Sequence, residues 1–95
     1  MAALRDEASG LRKEAAELSR NAVNRQKANF AMNAGNQLML RGQIADAIAR
    51  YQESIAADPT FADPHGQLAI AYERQGRANE AKTERAKAAE LGTKN

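Results

Sequence analysis

One helix-pair pattern occurs twice in this chain, offset by 34 residues. The first copy runs Gly35, Leu38, Gly42, Ala47, Tyr51, Asp58, Pro59; the second runs Leu68, Ala69, Tyr72, Gly76, Ala81, Ala88. One period lays Leu38 on Tyr72, Gly42 on Gly76 and Ala47 on Ala81. Repetition at this length predicts stacked helical hairpins, because each hairpin needs a neighbour to bury its apolar face.

The boundaries of the hairpins are written in local chemistry. Apolar residues recur at helical spacing up to Leu40, and Gly42 accepts the left-handed backbone that helix ends often require. Ile44, Ala47, Ile48, Tyr51, Ile55 and Ala56 trace the apolar stripe of a second helix, which Asp58-Pro59 ends by removing a donor and disfavouring helix at the preceding residue. The next unit opens on Asp63-Pro64, read as an N-cap followed by proline at the first helical position. Ala47 and Ala81 stand where the two helices of a hairpin pass closest, a place that a methyl group fits and a larger side chain does not.

These residues resemble the tetratricopeptide repeat, a family of 34-residue antiparallel helix pairs. With Ala28 as the first position, the family's small, large apolar, glycine, alanine, aromatic and Asp-Pro positions fall on Gly35, Leu38, Gly42, Ala47, Tyr51 and Asp58-Pro59. The second unit, from Ala62, keeps Leu68, Ala69, Tyr72, Gly76, Ala81 and Ala88 but departs at three places. His65 replaces a large aromatic or leucine, Arg85 replaces the aromatic that Tyr51 supplies, and no proline follows Leu91. The resemblance covers Ala28 to Leu91. It implies an all-α, two-repeat array over 28–61 and 62–95, preceded by an amphipathic helix over 1–27, about five helices in all.

Glu80, Lys82, Glu84, Arg85, Lys87 and Glu90 alternate with alanines, too polar a pattern for a helix packed on both sides. That helix is expected to cap the array, and Gly92-Thr93-Lys94-Asn95 reads as its natural finish. At the other end Leu4, Ala8, Leu11, Ala15, Leu18 and Ala22 follow a four-three spacing with charges on the remaining faces. This is not a third repeat, since one period before Ala47 and Tyr51 stand Lys13 and Glu17. Gly10 interrupts the helix at about 1 kcal/mol relative to alanine, so packing must hold it. No proline or glycine separates Leu11 from Phe30, which leaves open a bend near Asn21 to Asn24 or an unbroken run into the first repeat helix.

At 95 residues with 4% aromatics, the core is thin. Two repeats fall short of the roughly three needed for independent stability, so the missing burial comes either from the N-terminal segment folding back or from a second chain. A homodimer through the Leu4–Ala22 seam, in the manner of a coiled coil, is the corresponding alternative function.

The net charge of +2 is spread along every helix, which argues for solubility rather than phosphate binding. Phe30, Tyr51, Phe61 and Tyr72 read as repeat-packing or turn residues rather than base-stacking platforms, so no nucleic-acid partner is expected. No apolar run is long enough to span a bilayer and no signal peptide is visible, so the chain reads as cytoplasmic, without a membrane partner. Without cysteine, disulfides and thiolate metal sites are excluded. The lone His65 reads as a helix-start packing residue, and no cofactor, metal or catalytic constellation is expected.

What remains is binding. In the family that the repeats resemble, first helices line a concave groove, which here implies Asn29, Met32, Asn33, Asn36 and Leu40, then Asp63, Gln67, Ile70 and Arg74. Asn29, Asn33 and Asn36 share one helical face, and a carboxamide both donates to and accepts from an extended peptide backbone. Relatives that clamp a C-terminal carboxylate place a lysine and an asparagine where Met32 and Gln67 stand, so that clamp is not expected. The reading is therefore a scaffold-like, non-catalytic module for a protein or peptide partner, with self-association as the alternative and a segment of a larger protein as a third.

Overall fold

The computed structural model describes the backbone of residues 2–94 and the side chains of residues 21–92. Among the described residues the chain is all-α: α1 (Ala2–Leu40), α2 (Ile44–Ala57), α3 (Asp63–Arg74) and α4 (Ala78–Lys94). α1 pairs with α2 and α3 with α4 as two hairpins, and α3 seats the second hairpin on the first.

The two hairpin turns are the same object built twice. Gly42 N–H donates to Met39 O at 3.0 Å and Gln43 N–H to Leu38 O at 2.9 Å, a Schellman closure with Gly42 at φ +77°. One period on, Gly76 N–H donates to Glu73 O at 2.9 Å and Arg77 N–H to Tyr72 O at 2.8 Å, with Gly76 at φ +76°. The following helices begin alike, Ala47 N–H bonding Gln43 O and Ala81 N–H bonding Arg77 O, each at 3.0 Å. The sequence period is thus a period of hydrogen bonds.

The core joins Met39, Ala47, Ile48, Tyr51, Leu68, Ala69, Ala71, Tyr72 and Ala81, with Met32, Leu38, Ile44 and Ile55 packed against it. Inside the first hairpin, the Tyr51 ring lies on Gly35 so closely that a Cβ there would be 2.6 Å from Tyr51 Cε1. The Tyr51 hydroxyl donates to Asn36 Oδ1 at 2.7 Å, and the buried Ser54 hydroxyl donates to Ala28 O at 2.7 Å, tying α2 to α1. Inside the second hairpin, Ala69 and Arg85 replace Gly35 and Tyr51. Met39 becomes Glu73, and the Glu73–Arg85 ion pair stands where Met39 and Tyr51 stand one period earlier. Loss of the ring removes the need for glycine.

Four helices form rather than about five. The amphipathic segment and the first repeat helix are one element of 39 residues, about 58 Å long at 1.5 Å per residue, in a molecule whose longest dimension is 63 Å. With no proline or glycine between Leu11 and Phe30, the helix continues through Asn21 to Asn24. As one continuous helix, α1 does not fold back over the two hairpins, so the first of the two expected sources of extra burial is not realised.

The start of α3 also differs by one residue from expectation. Ala62 is the N-cap, without a side-chain hydrogen bond, and Asp63 is the first helical residue rather than the cap. Asp63 still favours the helix through its charge in the first turn, and Pro64 still falls among the amides that lack a helical partner. Asp58 ends α2 in extended backbone at φ −142°, as the following proline demands.

Candidate functional site

The groove implied by the repeats can be built up from helix faces. α1 carries Asn29, Met32, Asn33, Asn36 and Leu40; α3 carries Asp63, Gln67, Ile70 and Arg74. An open cleft of about 380 Å3 lies between these helices and α4, lined by Met32, Ala62, Asp63, Gly66, Gln67 and Ala88. Met32 supplies a flexible apolar wall that is itself held by the core. Asp63 is exposed at the helix start, and Gln67 is half-buried. A single hollow thus collects groove residues from both hairpins.

The remaining groove residues spread away from it. Asn29 and Asn33 are exposed on α1. Asn36 is half-buried and its Oδ1 accepts the Tyr51 hydroxyl, so the expected three-asparagine ladder has two members facing outward and one engaged in holding the hairpin. Leu40 is 83% exposed at the end of α1, Ile70 is 40% exposed, and Arg74 is exposed in the last turn of α3. Burial pushes the Tyr51 phenol above its ordinary value, and the charge of Arg74 pulls partly against it.

The residues of the N-terminal seam fare differently. Leu4, Ala8, Leu11, Ala15 and Leu18 lie outside the residues whose side chains are described. Ala22 is exposed and, with Asn21, Asn24 and Arg25 of α1, borders a second hollow of about 480 Å3 whose far wall is Ala57, Asp58, Pro59 and Thr60.

Three features were not legible beforehand. Arg25 Nε donates to Asp58 Oδ2 at 2.7 Å, and its guanidinium stacks on the Phe61 ring 4.2 Å from the centroid, so α1 clasps the α2–α3 turn. Asp58 also accepts from the Thr60 amide at 3.0 Å and hydroxyl at 2.6 Å. Burial works to raise its carboxyl, but the hydrogen bonds from Thr60 and Arg25 and the Arg25 charge overcome this and hold it below the usual carboxylate value. His65 is engaged within its own hairpin: its Nδ1 lies 2.6 Å from Glu84 Oε2, with both side chains largely covered. Glu84, read from sequence as part of a solvated face, is therefore a structural partner. Phe30 is 80% exposed, against the expectation of a repeat-packing aromatic.

Comparison with known families bears on the stretch between the two turn glycines and just before it. The TPR repeat family matches residues 35–76, from the glycine under Tyr51 to the glycine that closes the second turn. Residues 35–76 are tetratricopeptide repeat. The match spans the turn, the whole of α2 and all of α3, the elements whose packing defines the repeat interface. No match to the chain is found among the curated proteins. Tetratricopeptide repeats are in general protein-interaction modules, and no described helix of this one is long and apolar enough to cross a membrane.

Proposed function

We propose that this tetratricopeptide repeat is a non-catalytic module that takes an extended partner peptide across the α1–α3 face. The observation that carries the reading is the cleft in which Met32 from one hairpin and Gln67 from the other line a single hollow. Beside it, Asn29 and Asn33 offer paired donors and acceptors to a peptide backbone, while Met32 and Ala88 receive an apolar side chain. The exposed Asp63 carboxylate at the rim favours a basic residue in the peptide. Both hairpins preform the surface, so the peptide bears most of the ordering cost.

A peptide array followed by titration of the selected sequences tests this. Asn33→Ala with Gln67→Ala should weaken the tightest peptide by about tenfold or more while leaving helicity unchanged. Selected peptides that bind the double variant as well as the parent, or an array that yields none, would sink the reading.

A second reading is favoured by the continuity of α1. Ala22, Asn29 and Asn36 stand at seven-residue spacing on one helix, which places the Asn29–Asn36 wall next along α1 from the expected Leu4–Ala22 seam. Self-association along that seam would bring a second α1 alongside the first.

A further inference from the structure

The two hairpins are equivalent in sequence yet unequal in burial, and the inequality is concentrated on one edge. In α3, Pro64, Leu68 and Ala71 are fully or almost fully buried where the second hairpin seats on the first. One period earlier, Phe30 is 80% exposed, Ala34 is half-buried and Gln37 is exposed. The difference between the two environments is that α3 has a hairpin in front of it and α1 has none. The Phe30 edge is thus built to the same plan as a face that docks a helical hairpin, and Val23, 47% exposed and seven residues before Phe30, extends it. The unbroken α1 does not turn back to cover this edge.

We infer that the occupant is a second copy of this chain, docked edge to edge about a twofold axis. Beside Phe30 lies an open hollow of about 410 Å3 lined by Gln26, Lys27, Ala31, Glu53 and Ala57, into which the Phe30 ring of the other copy inserts. A twofold interface must be self-complementary, and this patch is: it carries one cation, Lys27, and one anion, Glu53, flanking its aromatic ridge. In the paired state Lys27 of each copy faces Glu53 of the other, and Glu53 adds that contact to the Arg50 hydrogen bond that it accepts within its own helix at 2.7 Å. The opposite edge does not compete as a partner surface. There Lys82 and Arg85 stand one period after Ile48 and Tyr51, replacing the apolar groove that receives α3.

Sedimentation equilibrium of residues 1–95 over a wide concentration range tests the proposal, with Phe30→Asp, Lys27→Glu and the charge-reversed pair Lys27→Glu/Glu53→Lys. Phe30 and Lys27 are exposed, and circular dichroism checks that each variant is folded. The expected result is a dimer that Phe30→Asp and Lys27→Glu each weaken by about tenfold or more, and that the reversed pair restores. A parent chain that stays monomeric throughout overturns the proposal. So does a dimer indifferent to Phe30→Asp but abolished by Leu11→Glu/Leu18→Glu, which would place the contact on the N-terminal seam. Peptide binding on the α1–α3 face is read out separately, so loss of one leaves the other standing.

Discussion

At the scale of single residues, Gly35 and Tyr51 behave as one choice. The ring occupies the space of a Cβ at Gly35, with contacts of 2.6, 2.8 and 3.1 Å to three ring carbons, and a buried aromatic ring hydrogen-bonded at its far end to Asn36 has nowhere to retreat. Gly35→Ala should cost about 1–3 kcal/mol in urea denaturation, and far less when Tyr51 is already leucine, which gives a large coupling term in a double-mutant cycle. The second hairpin displays the same logic naturally, with Ala69 paired to Arg85. Asp58 allows a pH test. Its folded value lies below its unfolded one, so it contributes stability above the unfolded carboxylate range that is lost as pH falls through the lower folded value. Thermal scans in a pH series below about 4 should therefore show a drop in the parent chain that is shallower in Asp58→Asn, because the amide has no proton to gain.

At the scale of elements, the turns carry the period. Gly42 and Gly76 occupy left-handed backbone at φ +77° and +76° with matching hydrogen bonds, and neither has an atom within 4 Å of a built Cβ. Alanine at either position should therefore cost only the backbone strain, about 1 kcal/mol, and nearly the same amount at both, as judged by denaturant midpoints. These turns could be read from sequence because a glycine at a helix end is a local signal. The start of α3 was displaced by one residue because an Asp-Pro pair marks a helix entry without saying which of its first residues caps it. The length of α1 was undecided for a related reason: the absence of a breaker permits continuity without requiring it.

At the scale of the molecule, the two hairpins share one core across the α2–α3 interface, so neither should unfold without the other. Leu68, 2% exposed at that interface, is the test position. Leu68→Ala should lower stability by about 2–5 kcal/mol while keeping a single transition. The chain has two tyrosines and no tryptophan, so fluorescence of Tyr51→Phe and Tyr72→Phe backgrounds follows each hairpin separately, and diverging midpoints would show independent units. The exposed Phe30 belongs to this scale as well. Its side chain is apolar and at helical spacing, which is all that a pattern registers; whether it is covered depends on a hairpin that this chain does not place in front of it.

Sequence alone was enough for the repeat family of residues 35–76, the helix pairs, both turns and the polar last helix, because each rests on spacing and on glycine and proline chemistry acting over a few residues. Met32 and Gln67, two of the residues that the repeat pattern assigned to the groove, line one hollow in the structure. Tertiary structure alone decided what those residues meet. It engaged Asn36 with Tyr51, joined Arg25 to Asp58 across 33 residues and His65 to Glu84 across 19, and left Phe30 bare. Such contacts depend on distances between helices rather than along them, and no local pattern in a chain records which faces another helix will cover.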